Sequence, residues 1–210
     1  MRNKHIVSLL VSVVFTVLVS NGYATVLAGN AILLDGTNDF IRIPDAPHLG
    51  GMSALTIEAW FMSKDTSRWN PIVTKSDGIA VMTDRSYELA LASSTSGSSW
   101  ATFTGSSGWT WLYGSTPPVS VNQWTHIAAT YDSTEGSARI YFNGNLALTT
   151  TTDAGGFPIS GLIRDSREDL ILGAILANAY RGATFSFGMM DEVRMWNYAR
   201  SESQIAQNFN

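Results

Sequence analysis

Carboxylates are the residues of this chain that come nearest to doing chemistry. The closing stretch GMMDEVRMWNYARSESQIAQNFN holds adjacent acids, Asp191 and Glu192; other acids stand alone at Glu58 in LTIEAWF and Glu88 in SYELAL, or as Glu168-Asp169 in SREDL. Glycoside hydrolysis needs two carboxyl groups flanking one bond, roughly 5 Å apart for retention and farther for inversion. Successive side chains of a regular strand point to opposite faces, so Asp191 and Glu192 do not serve one substrate as acid and base. A catalytic reading would have to pair acids from different strands, such as Glu58 with Glu88. Regular alternation also predicts Glu192, Arg194 and Trp196 on one face, with Asp191, Val193 and Met195 on the other. Asp191 would then lie among apolar neighbours and need backbone N–H groups, a base or a cation.

Other reactions lack their residues. The chain has no cysteine, no G-x-S-x-G nucleophile turn and no H-E-x-x-H zinc motif. His126, inside WTHIAATYD, has no adjacent nucleophile to activate and is expected as a hydrogen-bonded strand histidine.

Aromatic residues suit binding better. Trp109, Trp111 and Tyr113 fall at i, i+2 and i+4, hence on one face of an extended segment. Such a face is either a stacking platform for sugar rings or part of the core. Trp100, Trp69 with neighbouring Arg68, and Tyr180 with Arg181 are further candidates beside loops. The stretch SSTSGSSWATFTGSSGWTWLYGSTPP, rich in Ser, Gly, Thr and Trp, reads either as exposed connections between outer strands or as a ligand-facing surface.

The elements that must position these residues are strands. Of 210 residues 45% are hydrophobic and only 14% charged, enough apolar material for one core. The start has basic Arg2 and Lys4, an apolar run from Ile6 to Val19 and small residues after it, which predicts a signal peptide over residues 1–28, with cleavage after Ala24 as an alternative. The apolar run is shorter than the roughly 20 residues that cross a bilayer. A single domain over 29–210 follows, exported to a secreted, cell-surface or periplasmic location. Without Arg2 and Lys4, 11 basic residues face 17 acidic ones, a formal charge of −6 that argues against nucleic acid or anionic membranes as partners.

Beyond residue 28, about a dozen short β-type runs alternate with Gly, Asn, Asp, Ser and Pro, which predicts an all-β, two-sheet antiparallel sandwich. GIAVM at 78–82 is one of these runs. Asn143-Gly144 between apolar strands predicts a tight hairpin. Ser201 with Gln204, and Ile205 with Phe209, predict a short C-terminal helix opened by a capping box.

Four segments, LLDGTNDFIRIPD, LTIEAWFM, QWTHIAATYDSTEGSARIYFNGN and FGMMDEVRMWNYARSESQI, together resemble the laminin-G-like jelly-roll domains of the concanavalin A-like lectin/glucanase superfamily. The resemblance covers essentially all of the chain past the leader. It implies two curved sheets packed face to face with the termini on neighbouring strands, and core positions for Trp60, Trp124 and Trp196. It also implies a binding module for glycans or extracellular proteins, frequently with calcium at the rim, although glycosidases share the fold. Those glycosidases typically carry E-x-D-x-x-E on one strand, a string absent here. Asp35, Asn38 and Asp39 cluster in the turn DGTND, and with first and last strands adjacent, Asp35 and Asp191 are the expected ligands of a structural Ca2+. The alternative is that the turn's acids cap their own backbone. The expected function is a secreted, non-catalytic module recognising a carbohydrate or extracellular protein. A divergent glycosidase or lyase and an adhesive scaffold are the alternatives.

Overall fold

The fold is that of a computed structural model, which describes residues 31–76, 85–91, 99–105, 108–114, 119–176 and 183–209. The expected signal peptide, the run at 78–82, Tyr180 and Arg181 lie outside the described residues.

Two six-stranded antiparallel sheets face each other. The front sheet contains β1 (Ile32–Asp35), β3 (Ala54–Ser63), β8 (Trp124–Asp132), β9 (Ser137–Phe142), β10 (Asn145–Thr150) and β14 (Phe187–Trp196), in the order β1-β14-β3-β8-β9-β10. The back sheet contains β2 (Ile41–Ile43), β4 (Asn70–Ser76), β5 (Arg85–Leu91), β6 (Ser99–Gly105), β7 (Gly108–Gly114) and β11 (Leu170–Leu172), in the order β2-β11-β4-β5-β6-β7. The described residues also hold a two-stranded ribbon, β12 (Ala174–Ile175) with β13 (Thr184–Phe185), a 3-10 turn at Pro47–Leu49 and a helix, α1 (Glu202–Phe209). The first and last strands are neighbours, as the family resemblance implies.

Period-2 patterning decides which side of each strand is buried. Leu55, Ile57 and Phe61 of β3 turn into the core with Ile127 and Tyr131 of β8. Tyr87 and Leu89 of β5, Phe103 of β6 and Leu112 of β7 meet them from the back sheet. Truncating a fully buried ring such as Phe61 to Ala costs about 3–5 kcal/mol. The β9–β10 turn is the expected Asn143-Gly144 hairpin, with φ of 46° and 76°. At the other terminus, the Ser201 N–H donates to Gln204 Oε1 and the Gln204 N–H donates to Ser201 Oγ, closing the capping box of α1.

Strand β14 departs from regular alternation. Asp191 pairs with Trp60, but Arg194 pairs with Glu58, so Glu192 and Val193 on β14 oppose the single Ala59 on β3. Glu192, at φ 52°, is the extra residue of this bulge. Asp191 therefore shares the outer face with Arg194 and Trp196, and only Val193 and Met195 turn toward the core. The bulge, which the sequence does not announce, overturns the expected placement of Asp191 beside Val193. Its carboxylate accepts the Glu192 N–H at 2.8 Å, meeting the expected need for a backbone partner. Glu192 forms an ion pair with Arg194.

Candidate functional site

Outer faces are where a sandwich can present chemistry, and the two sheets differ. On the front sheet, Glu58 is fully buried and receives Arg200 Nη1 at 2.7 Å, Arg194 Nη1 at 3.5 Å and the His126 ring at 3.9 Å. Ile205 of α1 packs on Ala128 and Tyr141, while Phe209 stacks 5.5 Å from Trp60. Arg200 also lies 4.4 Å over the Trp196 ring and donates to the Gln204 carbonyl. These contacts fasten the C-terminal helix to the sheet. Burial pushes the His126 imidazole below its ordinary value, so the ring is neutral near pH 7 and does structural work. Trp60 and Trp196 thus lie on the outer face, and Trp124 at the start of β8 is 38% exposed, in place of the implied core positions. Each has the strand parity of Thr56 and Glu58, opposite to the core-facing Ile57 and Phe61.

The back sheet carries a different cluster. Thr74, Glu88, Thr102 and Trp111 form one cross-strand row over β4, β5, β6 and β7. Their parity is opposite to that of Tyr87, Phe103 and Leu112, so the row is on the outer face. The next row holds Thr104 opposite Trp109. Arg85 joins it because the register skips Ser86 between Tyr87 and Arg85, and this bulge returns Arg85 to the face of Glu88. Arg85 Nη1 lies 3.9 Å from Glu88 Oε2, and its guanidinium sits 5.8 Å from the Trp109 ring centroid. The Trp69 indole, in the segment preceding β4, stands beside the Glu88 carboxyl group and favours its anion. Each charged group therefore has one aromatic ring beside it, Trp69 at Glu88 and Trp109 at Arg85.

Glu88 and Arg85 are 1% and 2% exposed, whereas Trp69 and Trp109 remain half-buried. Burial pushes the Glu88 carboxyl up from 4.5 to about 7, against the opposing pull of Arg85 and of the Trp69 indole. Arg85 Nε, Glu88 Oε1, Thr102 Oγ1 and Thr104 Oγ1 are buried without a hydrogen-bond partner among the described residues. Leaving such groups unsatisfied costs about 1–3 kcal/mol each, and here they form a contiguous buried set beneath Trp69 and Trp109. The loop after β10 steadies its edge: the Ala154 N–H donates to the Trp109 carbonyl, and Asp153 Oδ1 accepts from Gly155 and Phe157, each at 2.9 Å.

Several expected site residues meet here. Residues 108–114 are a true edge strand, which places Trp109, Trp111 and Tyr113 at outer-face positions, and Trp100 pairs with Tyr113. The side chains of Trp100, Trp111 and Tyr113 lie outside the described residues. Trp69 belongs to the cluster, but Arg68 does not; its Nη2 donates to the Gly36 and Phe185 carbonyls and ties the first turn to β13. Asp35 and Asp191 are not brought together. Asp35 pairs with Phe187, four residues from Asp191 along β14, a separation of about 13 Å at ~3.4 Å per residue. One calcium ion needs its oxygen ligands at roughly 2.3–2.6 Å. Asp35 Oδ1 instead accepts the N–H groups of Thr37 and Asn38, and Asp39 Oδ2 that of Asp35, which is the turn-capping alternative. Glu58 and Glu88 stand on the outer faces of opposite sheets, separated by more than the roughly 10 Å sheet spacing, and cannot flank one bond.

A profile of the laminin-G group, described as the concanavalin A-like lectin/glucanases superfamily, matches residues 35–206. The chain belongs to this superfamily. Among solved structures, a native heptameric SAP-like pentraxin from Limulus polyphemus superposes with a TM-score of 0.61 at 13% identity, over 86% of this chain and 81% of the other. Domain 4 of AbnA, an extracellular arabinanase from Geobacillus stearothermophilus, in complex with arabinotriose, gives 0.59 at 20% identity over 86% and 76%. A carbohydrate-binding protein from Bacteroides ovatus, described as putative, gives 0.57 at 22% identity over 83% and 45%. These likenesses establish shared fold. Among curated sequences, the human pentraxin-related protein PTX3 is 28% identical over 91 residues, 42% of this chain and 23% of the human protein. The match thus spans under a quarter of that relative's length.

Proposed function

We propose that this superfamily member is a non-catalytic module that binds carbohydrate on the outer face of its back sheet. The observation that carries the reading is the convergence of Trp69 and Trp109 on the buried Glu88–Arg85 pair, beside polar atoms that have no partner among the described residues. Sugar recognition uses aromatic surface against the apolar side of a pyranose, and this face offers the half-buried Trp69 and Trp109 over a buried polar pair. Arabinotriose on Domain 4 of AbnA supports a glycan over an extracellular protein as the ligand. Glycoside hydrolysis on this face would require a second carboxyl group beside Glu88, and Glu58 is not it. The basic start and apolar run of residues 1–28 support export to a secreted, cell-surface or periplasmic location. A polysaccharide array probed with the purified chain and with Trp69→Ala tests the reading. Binding by the wild type that Trp69→Ala loses is expected; an array on which the wild type retains nothing contradicts it.

A further inference from the structure

Trp109 is held in place through its backbone, by a loop outside the back sheet. Strand β7 ends that sheet, with β6 as its one hydrogen-bonded strand among the described residues. Trp109 is the second residue of β7, directly after Gly108 at φ 140°. On the side that β6 leaves open, the Trp109 carbonyl accepts the Ala154 N–H at 2.6 Å. Opposite Trp109 stands Thr104, one residue beyond Phe103, the last of β6 that pairs with β5 among the described residues. Its carbonyl accepts the Arg164 N–H at 2.7 Å. One segment, residues 151–164, thus fastens both ends of the Thr104–Trp109 row where the neighbouring strands release it.

Asp153 gives that segment its shape. Its side chain is buried, and Oδ1 accepts the N–H groups of Gly155 and Phe157 at 2.9 Å each. Its own N–H donates to the Phe157 carbonyl at 2.8 Å, and its carbonyl accepts the Gly156 N–H at 3.0 Å. An aspartate that binds the backbone just ahead of it locks a tight loop. These four bonds close on the residue immediately before Ala154, so they set where the Ala154 N–H points. Asp153 Oδ2 also lies 2.9 Å from where a Cβ would stand on Gly108, the residue before Trp109. Side-chain direction follows the backbone of a strand, so loosening this clamp turns the indole away from its place 5.8 Å from the Arg85 guanidinium.

Resting on the binding reading above, we propose that Asp153 is a positioning residue for glycan binding, one that fixes Trp109 in the orientation a sugar ring meets without touching the ligand itself. The test uses the full chain labelled with fluorotryptophan, read by fluorine NMR and by titration with a β-glucan, a mannan and an arabinan. The Trp109 resonance is identified by its loss in Trp109→Phe. Asp153→Ala should move that resonance, leave those of the front-sheet Trp60, Trp124 and Trp196 in place, and weaken binding roughly fivefold, the effect of about one lost hydrogen bond. Asp153→Asn keeps an oxygen acceptor for Gly155 and Phe157 and should restore both the resonance and the affinity. Should Asp153→Ala fail to fold, Ala154→Pro removes the N–H that reaches Trp109 and should give the same shift and the same loss. An unmoved Trp109 resonance or undiminished affinity in the folded variant overturns the assignment, as does a loss that Asp153→Asn leaves equally large. In those cases the aromatic-face reading still stands if Trp69→Ala abolishes binding. A wild type that binds none of the three polysaccharides overturns both.

Discussion

Replacing Glu88 with Gln should stabilise the protein at alkaline pH and leave it unchanged in acid. The Glu88 carboxyl is buried, and its folded value of about 7 exceeds the ordinary 4.5 because burial disfavours the anion more than Arg85 and Trp69 favour it. The folded state therefore holds the proton more tightly than the unfolded chain. This contribution to stability is fully present below pH ~4.5 and is lost as pH rises through about 7. A difference of about 2.5 pH units, at 1.36 kcal/mol per unit, amounts to about 3 kcal/mol. Glutamine copies the neutral acid at every pH, so the variant should match the wild type at pH 4 and exceed it by about 3 kcal/mol at pH 8. For a chain of this size that is a rise in Tm of roughly 6–12 °C. Urea unfolding of both proteins at pH 4, 6 and 8 measures it. A gap that does not widen with pH, or a variant less stable at pH 8, would refute the placement of Glu88 as a charge poorly compensated by its surroundings.

Other outcomes separate structural from binding residues. Glu58→Gln strips Arg200 and Arg194 of a buried counter-charge and should cost about 3–5 kcal/mol in chemical denaturation, while the folded fraction keeps its glycan affinity because Glu58 is on the opposite sheet. Asp35→Ala removes an acceptor for two backbone N–H groups and should cost about 1 kcal/mol. That cost should be the same with and without chelator, whereas a chelator-dependent cost would restore a metal at Asp35. N-terminal sequencing of the protein recovered from its native source should begin at Gly29; an intact Met1 would contradict cleavage.

The sandwich was legible because its signals are local: alternating apolar strands, the Asn143-Gly144 turn and the Ser201–Gln204 capping box all appear where the residues place them. Trp109, Trp111 and Tyr113 were legible as one face for the same reason, since β7 is regular throughout its pairing with β6. What failed to show was set by bulges. An Arg85–Glu88 spacing of three reads as opposite faces of a strand until Ser86 is skipped, and Asp191 reads as inward until Glu192 adopts positive φ. No residue type marks either bulge, because neither uses a glycine. Arg68 and Trp69 are sequence neighbours, yet only register separates their tasks, the first clamping a turn and the second reaching Glu88. Glu88 itself was visible only as an isolated acid; the signal that could have found it is its place on a strand whose neighbours supply Trp and Thr at matching parity.

The proposed binding face is that of the back sheet, not the front. Isothermal titration of Trp109→Ala and Trp124→Ala with whichever polysaccharide the wild type binds compares the two directly. Trp109 lies over Arg85 on the back face, and Trp124 is an exposed indole on the front sheet. Trp109→Ala should weaken binding at least tenfold, about 1.4 kcal/mol, and Trp124→Ala should leave it unchanged. Undiminished affinity in Trp109→Ala together with loss in Trp124→Ala would contradict the account.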